Sequence, residues 1–144
     1  MKVGKRNVSL GADVEIWKRQ TNLGKTFDSS TGYDFIAIGG GKMSPDVSWI
    51  EKSRLVGVNI VGFIPIVPDF VIKLRSATDN LKSLQEKMEE YQRLGVRVGL
   101  LISPKNQQVK VYRPGQDAVV LDVPSTIDCD DVIPGFVLSM SRIW

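Results

Sequence analysis

Between Pro68 and Arg75 the chain reads Pro-Asp-Phe-Val-Ile-Lys-Leu-Arg, an apolar run of strand length with one charge in its middle. A half-buried strand alternates apolar and polar residues; a run apolar on both alternating sets has to be covered on both faces. The rest of the chain must therefore supply a layer on either side of it. Lys73 shares a face with Val71 and Arg75, whereas Phe70, Ile72 and Leu74 point the other way. An ammonium carried into a covered sheet costs several kcal/mol unless an anion meets it, so Lys73 is expected within a few ångströms of the carboxylate of Asp46.

The segment that follows has the pattern of a capped helix. Thr78-Asp79-Asn80 offers N-cap residues, Leu81, Leu84, Met88 and Tyr91 form one stripe up to Leu94, and Gly95 can end it. Val96 to Ser103 and Gln108 to Arg113 predict a hairpin around Pro104-Lys105-Asn106-Gln107, with a further short strand near Ala118 to Leu121. Upstream, Leu10, Val14 and Trp17 at i, i+4 and i+7 predict a helix from about Asn7 to Asn22. Lys25 to Asp28 and Tyr33 to Ile38 predict a hairpin around Ser29-Ser-Thr-Gly32, followed by a mobile Gly39-Gly40-Gly41 turn and a strand from about Pro45 to Ile50. With 144 residues, no repeat and no linker, one domain spanning 1–144 is expected. Phe70, Ile72, Leu74, Leu84, Met88, Leu100 and Ile102 are expected to share one core.

Composition removes whole classes of chemistry. The chain has no histidine, so imidazole acid-base catalysis, Ser-His-Asp and Cys-His pairs and His-ligated zinc are excluded. Its single cysteine, Cys129, can form neither an internal disulfide nor a multi-thiolate metal site, which points to an intracellular, cytoplasmic protein. Any bound metal is then a hard cation held by carboxylates. The formal charge of +3 permits a polyanionic partner without demanding one. No stretch approaches the ~18 apolar residues of a membrane span, and the start lacks an apolar signal core.

Among motif-like features, Gly39-Gly40-Gly41-Lys42 lacks the GxxxxGK[ST] spacing of a phosphate loop and has Met43 where the hydroxyl would stand. Glu86, Glu89 and Glu90 read as a solvated helix face. Three residues stand out. Asp46 begins the strand Val47-Ser48-Trp49-Ile50, from which its carboxylate can enter a cleft while Val47 and Trp49 pack on the opposite face. Lys73 is the charge in the apolar strand. Lys87, one helical turn from Leu84 and Tyr91, borders the apolar stripe so that its amine can reach the sheet.

The stretches IWKRQTNLGKTFDSSTGY, SPDVSW, GFIPIVPDFVIKLRSATDNLKSLQEKMEEY, LISPKNQQVKVYRPGQ and PGFVLSMSRIW, in this order, resemble the Uma-type restriction-endonuclease family of the PD-(D/E)xK nuclease superfamily. The resemblance covers almost the whole chain. It implies an α/β (mixed α+β) fold with a restriction-endonuclease-like mixed central sheet flanked by helices. It also implies a magnesium-dependent DNA endonuclease in which two carboxylates hold the metal and a lysine assists the nucleophile. Asp46 matches the family's first aspartate and is the implied metal ligand. Where relatives similar to VPDFVIKLRSATD carry the catalytic glutamate, this chain has Lys73; the superfamily's lysine falls at Arg75, and the helix residue Lys87 is the implied substitute for it. Relatives also carry a segment ahead of the first helix, so Met1 is expected to begin inside the usual domain. Three functions stay open: an active endonuclease in which Asp69, Glu15 or Asp79 replaces the glutamate; a degenerate member that binds nucleic acid without cutting; and an interaction or structural module on a nuclease fold. A homodimer is the analogy drawn from restriction-type enzymes.

Overall fold

The computed structural model describes residues 22–141 and 143–144, and the expected helix from Asn7 to Asn22 lies outside them save for its last residue. Six strands form one mixed sheet in the order β1-β4-β5-β6-β7-β8. They are β1 (Gly24–Asp28), β4 (Val47–Glu51), β5 (Phe70–Leu74), β6 (Val98–Ser103), β7 (Gln108–Tyr112) and β8 (Val119–Asp122). Two further pairs lie outside it, β2 (Tyr33–Asp34) with β3 (Lys42–Met43), and β9 (Thr126–Asp128) with β10 (Val137–Ser139). A single described α-helix, α1 (Leu81–Leu94), crosses between β5 and β6. That crossover makes β5 and β6 parallel, and all other neighbours in the sheet are antiparallel. No described helix is long and apolar enough to cross a membrane.

The strand that opened the sequence reading is covered on both faces as its pattern demands. Phe70, Ile72 and Leu74 join Val47, Trp49, Leu100, Ile102, Val109 and Val111 on one face, beneath a lid of Ile127, Cys129, Ile133, Phe136, Leu138 and Met140. On the other face Val71 and Leu101 meet Leu84, Met88 and Tyr91 of α1, with Tyr33, Phe35, Ile50 and Ile64 alongside. The seven residues expected to share one core therefore divide between two: Leu84 and Met88 lie on the helix face, and the five strand residues lie on the opposite one. The correction follows from the two-residue period of a strand, which sends Ile72 away from any helix that packs on Val71. Helix α1 has the expected ends: the Asn80 side chain accepts from the Ser83 amide, and Gly95, at φ 106°, takes the left-handed cap.

The expected hairpin between Lys25–Asp28 and Tyr33–Ile38 does not form. β1 instead pairs with β4, Gly24 opposite Glu51 and Asp28 opposite Val47, and β2 pairs with β3. Tyr33 and Phe35 are both fully buried, with ring centroids 5.6 Å apart, and Phe35 meets Tyr91 edge-on at 6.5 Å. Drawing these rings under α1 takes the segment out of the sheet plane, and Ile36–Ile38 turns into a 3-10 helix. The Gly39–Gly41 turn is likewise held rather than loose. The Phe35 amide donates to Gly41, the Gly40 amide donates to Phe35, and Arg93 donates to the Gly39 carbonyl.

A Cβ on Gly40 would lie 2.9 Å from both Phe35 Cβ and Leu94 Cδ1, whereas one on Gly41 would meet nothing within 4 Å. Gly40→Ala is expected to lower stability by about 1–3 kcal/mol through overpacking. Gly41→Ala is expected to leave stability unchanged or to raise it by about 0.5 kcal/mol. Urea midpoints of the two variants make the comparison; equal midpoints would mean that the turn does not pack on α1.

Burial of titratable groups gives a second expectation. The Cys129 thiol and the Tyr33 and Tyr112 hydroxyls are pushed up to about 12 by burial, from ordinary values of 9.0 and 10.0, and Tyr91 is raised further. A folded value above the unfolded one means that stability is intact below the unfolded value and is lost as pH rises toward the folded value. Stability should therefore fall from about pH 9 toward about pH 12. Tyr33→Phe should make that decline shallower in urea titrations at successive pH; a slope unchanged by the substitution would remove Tyr33 from the account.

Candidate functional site

β4 and β5 are fastened at each end by an aspartate that precedes a strand. At one end Asp46 donates its backbone N–H to the Ile72 carbonyl, and its Oδ2 accepts the Leu74 amide at 2.6 Å. At the other, Asp69 donates its N–H to Trp49, and its Oδ2 accepts the Glu51 amide at 2.8 Å. Each carboxylate also meets a cation: Lys73 Nζ lies 3.6 Å from Asp46 Oδ2, and Arg54 Nη1 lies 3.0 Å from Asp69 Oδ1. The arrangement repeats because an antiparallel pair leaves one strand-end amide at each end for a side chain to take. As expected, Val47 and Trp49 point to the face opposite that of Ser48 and Ile50, whose side the Asp46 carboxylate shares.

The Asp46–Lys73 pair borders a cleft of about 550 Å³ lined by Lys42, Ser44, Pro45, Lys73, Lys87 and Tyr91, among others. It opens between the segment 41–45 and one side of α1. Asp46 touches Lys73, and Lys73 rather than Asp46 forms the wall. The Lys73 side chain is 28% exposed and that of Asp46 10%, so water reaches the ammonium while the carboxylate is nearly covered. Lys87 is exposed on α1 and lines the same cleft. The structure thus brings together all three of the residues singled out by the sequence. Tyr91 contributes a buried wall whose hydroxyl is pushed upward by burial first, and then by Tyr33 and the negative charge of Asp46. Behind it Tyr33 and Ser48 share a buried hydrogen bond of 2.7 Å between their hydroxyls.

The substitutes considered for the glutamate separate cleanly. Asp69 is bound to Glu51 and Arg54 at the far end of β5. Asp79 lies close enough to Lys73 and Lys87 for both to act on it; its carboxyl is held below the usual range chiefly by the Ser76 amide, which donates to Oδ2 at 2.8 Å. Glu15 lies outside the described residues. Arg75, beyond the end of β5, uses its amide to bond Ile102. Glu86 and Glu90, read from the sequence as a solvated face, prove to line the cleft, and Glu90 is paired with Arg93 at 2.7 Å. The spacing of Ser83, Glu86, Lys87 and Glu90 along one helix side was the signal for this, obscured because the adjoining stripe of Leu84, Met88 and Tyr91 drew the apolar face instead.

A larger cleft, about 630 Å³, lies near the Asp69 end and is walled by Leu23, Trp49, Val56, Arg97, Val132 and Pro134 among others; none of the three sequence candidates lines it. Among the described residues no group of three or more His, Cys, Asp or Glu side chains could hold a metal ion. At the implied magnesium position the described residues supply a carboxylate bound to a backbone amide and faced by an ammonium, a set that does not by itself fit a hard dication.

Removing Lys73 should cost little, because a partly hydrated ammonium contributes on the order of 1 kcal/mol net. Lys73→Ala is expected to lower stability by about that much, and Asp46→Ala by about 1–3 kcal/mol, since it strands the buried Leu74 amide. Chemical denaturation of both variants checks the order. A larger loss for Lys73→Ala would mean that the ion pair, not the backbone hydrogen bond, fastens the strand end.

Comparison with known proteins extends the fold beyond this chain. A family model described as Uma2, "Putative restriction endonuclease", matches residues 2–141. A crystal structure from Anabaena variabilis, titled as a "putative nuclease belonging to DUF820", superposes with a TM-score of 0.84 at 22% identity, covering 99% of this chain and 80% of that one. At that identity the likeness concerns the fold alone. Among curated proteins there is no significant match.

Proposed function

Because the chain belongs to the Uma2 restriction-endonuclease family, we propose that it is a DNA-directed member whose hydrolytic centre has been replaced by the Lys73–Asp46 ion pair. The carrying observation is the 3.6 Å separation of Lys73 Nζ from Asp46 Oδ2 in the wall of the cleft. In the family's implied chemistry, two carboxylates hold a magnesium ion that activates water and offsets phosphate charge. Here the second carboxylate position carries a cation. At an effective dielectric of about 20, an ammonium roughly 4 Å from a dication meets about 8 kcal/mol of repulsion before relaxation and screening. Asp46 retains a structural duty in this reading, closing the end of β5 through Leu74, as Asp69 closes the end of β4 through Glu51. Lys87 keeps its place on the cleft but has no metal-bound water to act on. The reading takes residues 1–144 as one cytoplasmic domain with DNA as its partner, and with a homodimer as the form that would meet both strands.

A second reading, retained cleavage with Asp79 supplying the missing carboxylate, draws on the closeness of Asp79 to Lys73 and Lys87. One experiment separates the two. Magnesium titration by calorimetry and plasmid nicking are run on the native chain and on Lys73→Glu. The native chain is expected to bind magnesium weakly and to leave plasmid intact. Lys73→Glu removes a positive charge and adds a negative one, and should tighten magnesium binding by about tenfold or more, with nicking gained later or not at all. Native protein that binds magnesium as tightly as the variant and nicks DNA would overturn the proposal in favour of Asp79.

A further inference from the structure

We propose that the cleft grips a nucleic-acid phosphate directly on the ammonium groups of Lys73 and Lys87, with Lys42 at its mouth and no divalent ion between. The inference rests on the reading that Lys73 has displaced the metal, and it assigns the altered site a positive task. An ammonium at the former position of a dication repels metal but attracts the same phosphate that a metal would have neutralised.

The geometry leaves Lys73 able to do this. Its 3.6 Å approach to Asp46 is longer than a hydrogen bond, and the 2.6 Å Leu74 bond already occupies the same carboxylate oxygen. Lys73 therefore sits beside its anion with N–H groups toward the cleft, and 28% of the side chain is exposed there. Lys87 and Lys42 line the same 550 Å³ space. Lys42 is braced, its ammonium lying 4.9 Å from the centroid of the half-exposed Phe63 ring, which places an aromatic face at the rim next to a cation. Opposing charge is present: Asp46 stands beside Lys73, Asp79 is close enough to feel both Lys73 and Lys87, and Glu86 lines the helix wall, while Glu90 is taken up by Arg93. Three lysines lining one cleft suit a phosphate oxyanion.

The test is fluorescence anisotropy with an end-labelled DNA duplex, in EDTA and in magnesium, across a salt series. The native chain should bind equally well in both, within twofold. Lys87→Gln should weaken binding about fivefold near physiological salt and lower the salt slope by about one. Glu86→Gln should tighten it by a similar factor, an effect that a merely structural role for the cleft would not produce. Lys52→Gln, an exposed lysine beside the other cleft, should leave affinity within twofold. All three are surface positions, and a circular-dichroism melt verifies that each variant folds. Loss of binding in EDTA, an equal effect of Lys52→Gln, or no response to Glu86→Gln overturns the proposal. So does failure to bind duplex while millimolar inorganic phosphate raises the melting temperature, which would assign the cleft to free phosphate. Any of these results leaves the loss of hydrolysis intact, whereas cleavage by the native chain overturns the loss of hydrolysis without touching the anisotropy result.

Discussion

β5 must satisfy three demands at once: hydrogen bonds to β4 on one edge and β6 on the other, an apolar face toward the lid of residues 127–143, and an apolar face toward α1. The two pairings run in opposite senses, antiparallel to β4 and parallel to β6, and only the α1 crossover makes the second possible. The outer strands of the sheet are placed through this one. β1 reaches the sheet only through β4, and the β6–β7–β8 meander only through β6. The single charge within the strand could not be buried in the middle of either core. It sits one residue from the strand's end, where the long stem of Lys73 carries its ammonium past the helix to a cleft.

The paired clasps at the two ends of β4 and β5 bear on how a catalytic aspartate is recognised. Asp46 and Asp69 have nearly the same surroundings among the described residues: a buried carboxylate, a strand-end amide and a basic partner. What distinguishes them is access. Lys73 opens onto the cleft with Lys87, whereas Arg54 shields Asp69 at the other end. An aspartate at this place in the fold is structurally useful with or without chemistry. Retention of Asp46 is thus no sign of retained hydrolysis.

Much of this was legible from residue order alone, and the failures share a physical cause. The helix caps at Asn80 and Gly95 and the β6–β7 hairpin follow from local chemistry, and they stand where expected. The proximity of Lys73 to a carboxylate followed from the cost of burying an ammonium. What local pattern could not supply was the choice of partner. Lys25–Asp28 was correctly a strand but found β4 rather than its neighbour in sequence, because burying Tyr33 and Phe35 beneath α1 outweighed a short hairpin. β9 and β10 were missed as three-residue pieces whose alternation, Ile127 with Cys129 and Phe136 with Leu138, counts only once the sheet face they cover is known. The acidic side of α1 is solvated and partly paired as expected, but that Glu86 also faces the segment 41–45 across a cleft could not be read from local pattern.

The lid over the second sheet face comes from residues 127–143, late in the order of synthesis. Strands β4 to β7 carry their apolar residues for that face from residue 47 onward, so a growing chain displays half of its interior to water until this segment emerges. During translation the helix side can close as soon as α1 and β6 have been made, and the opposite side waits. Chaperone capture and self-association of ribosome-bound intermediates would then concentrate on one surface of the molecule, the sheet face opposite α1.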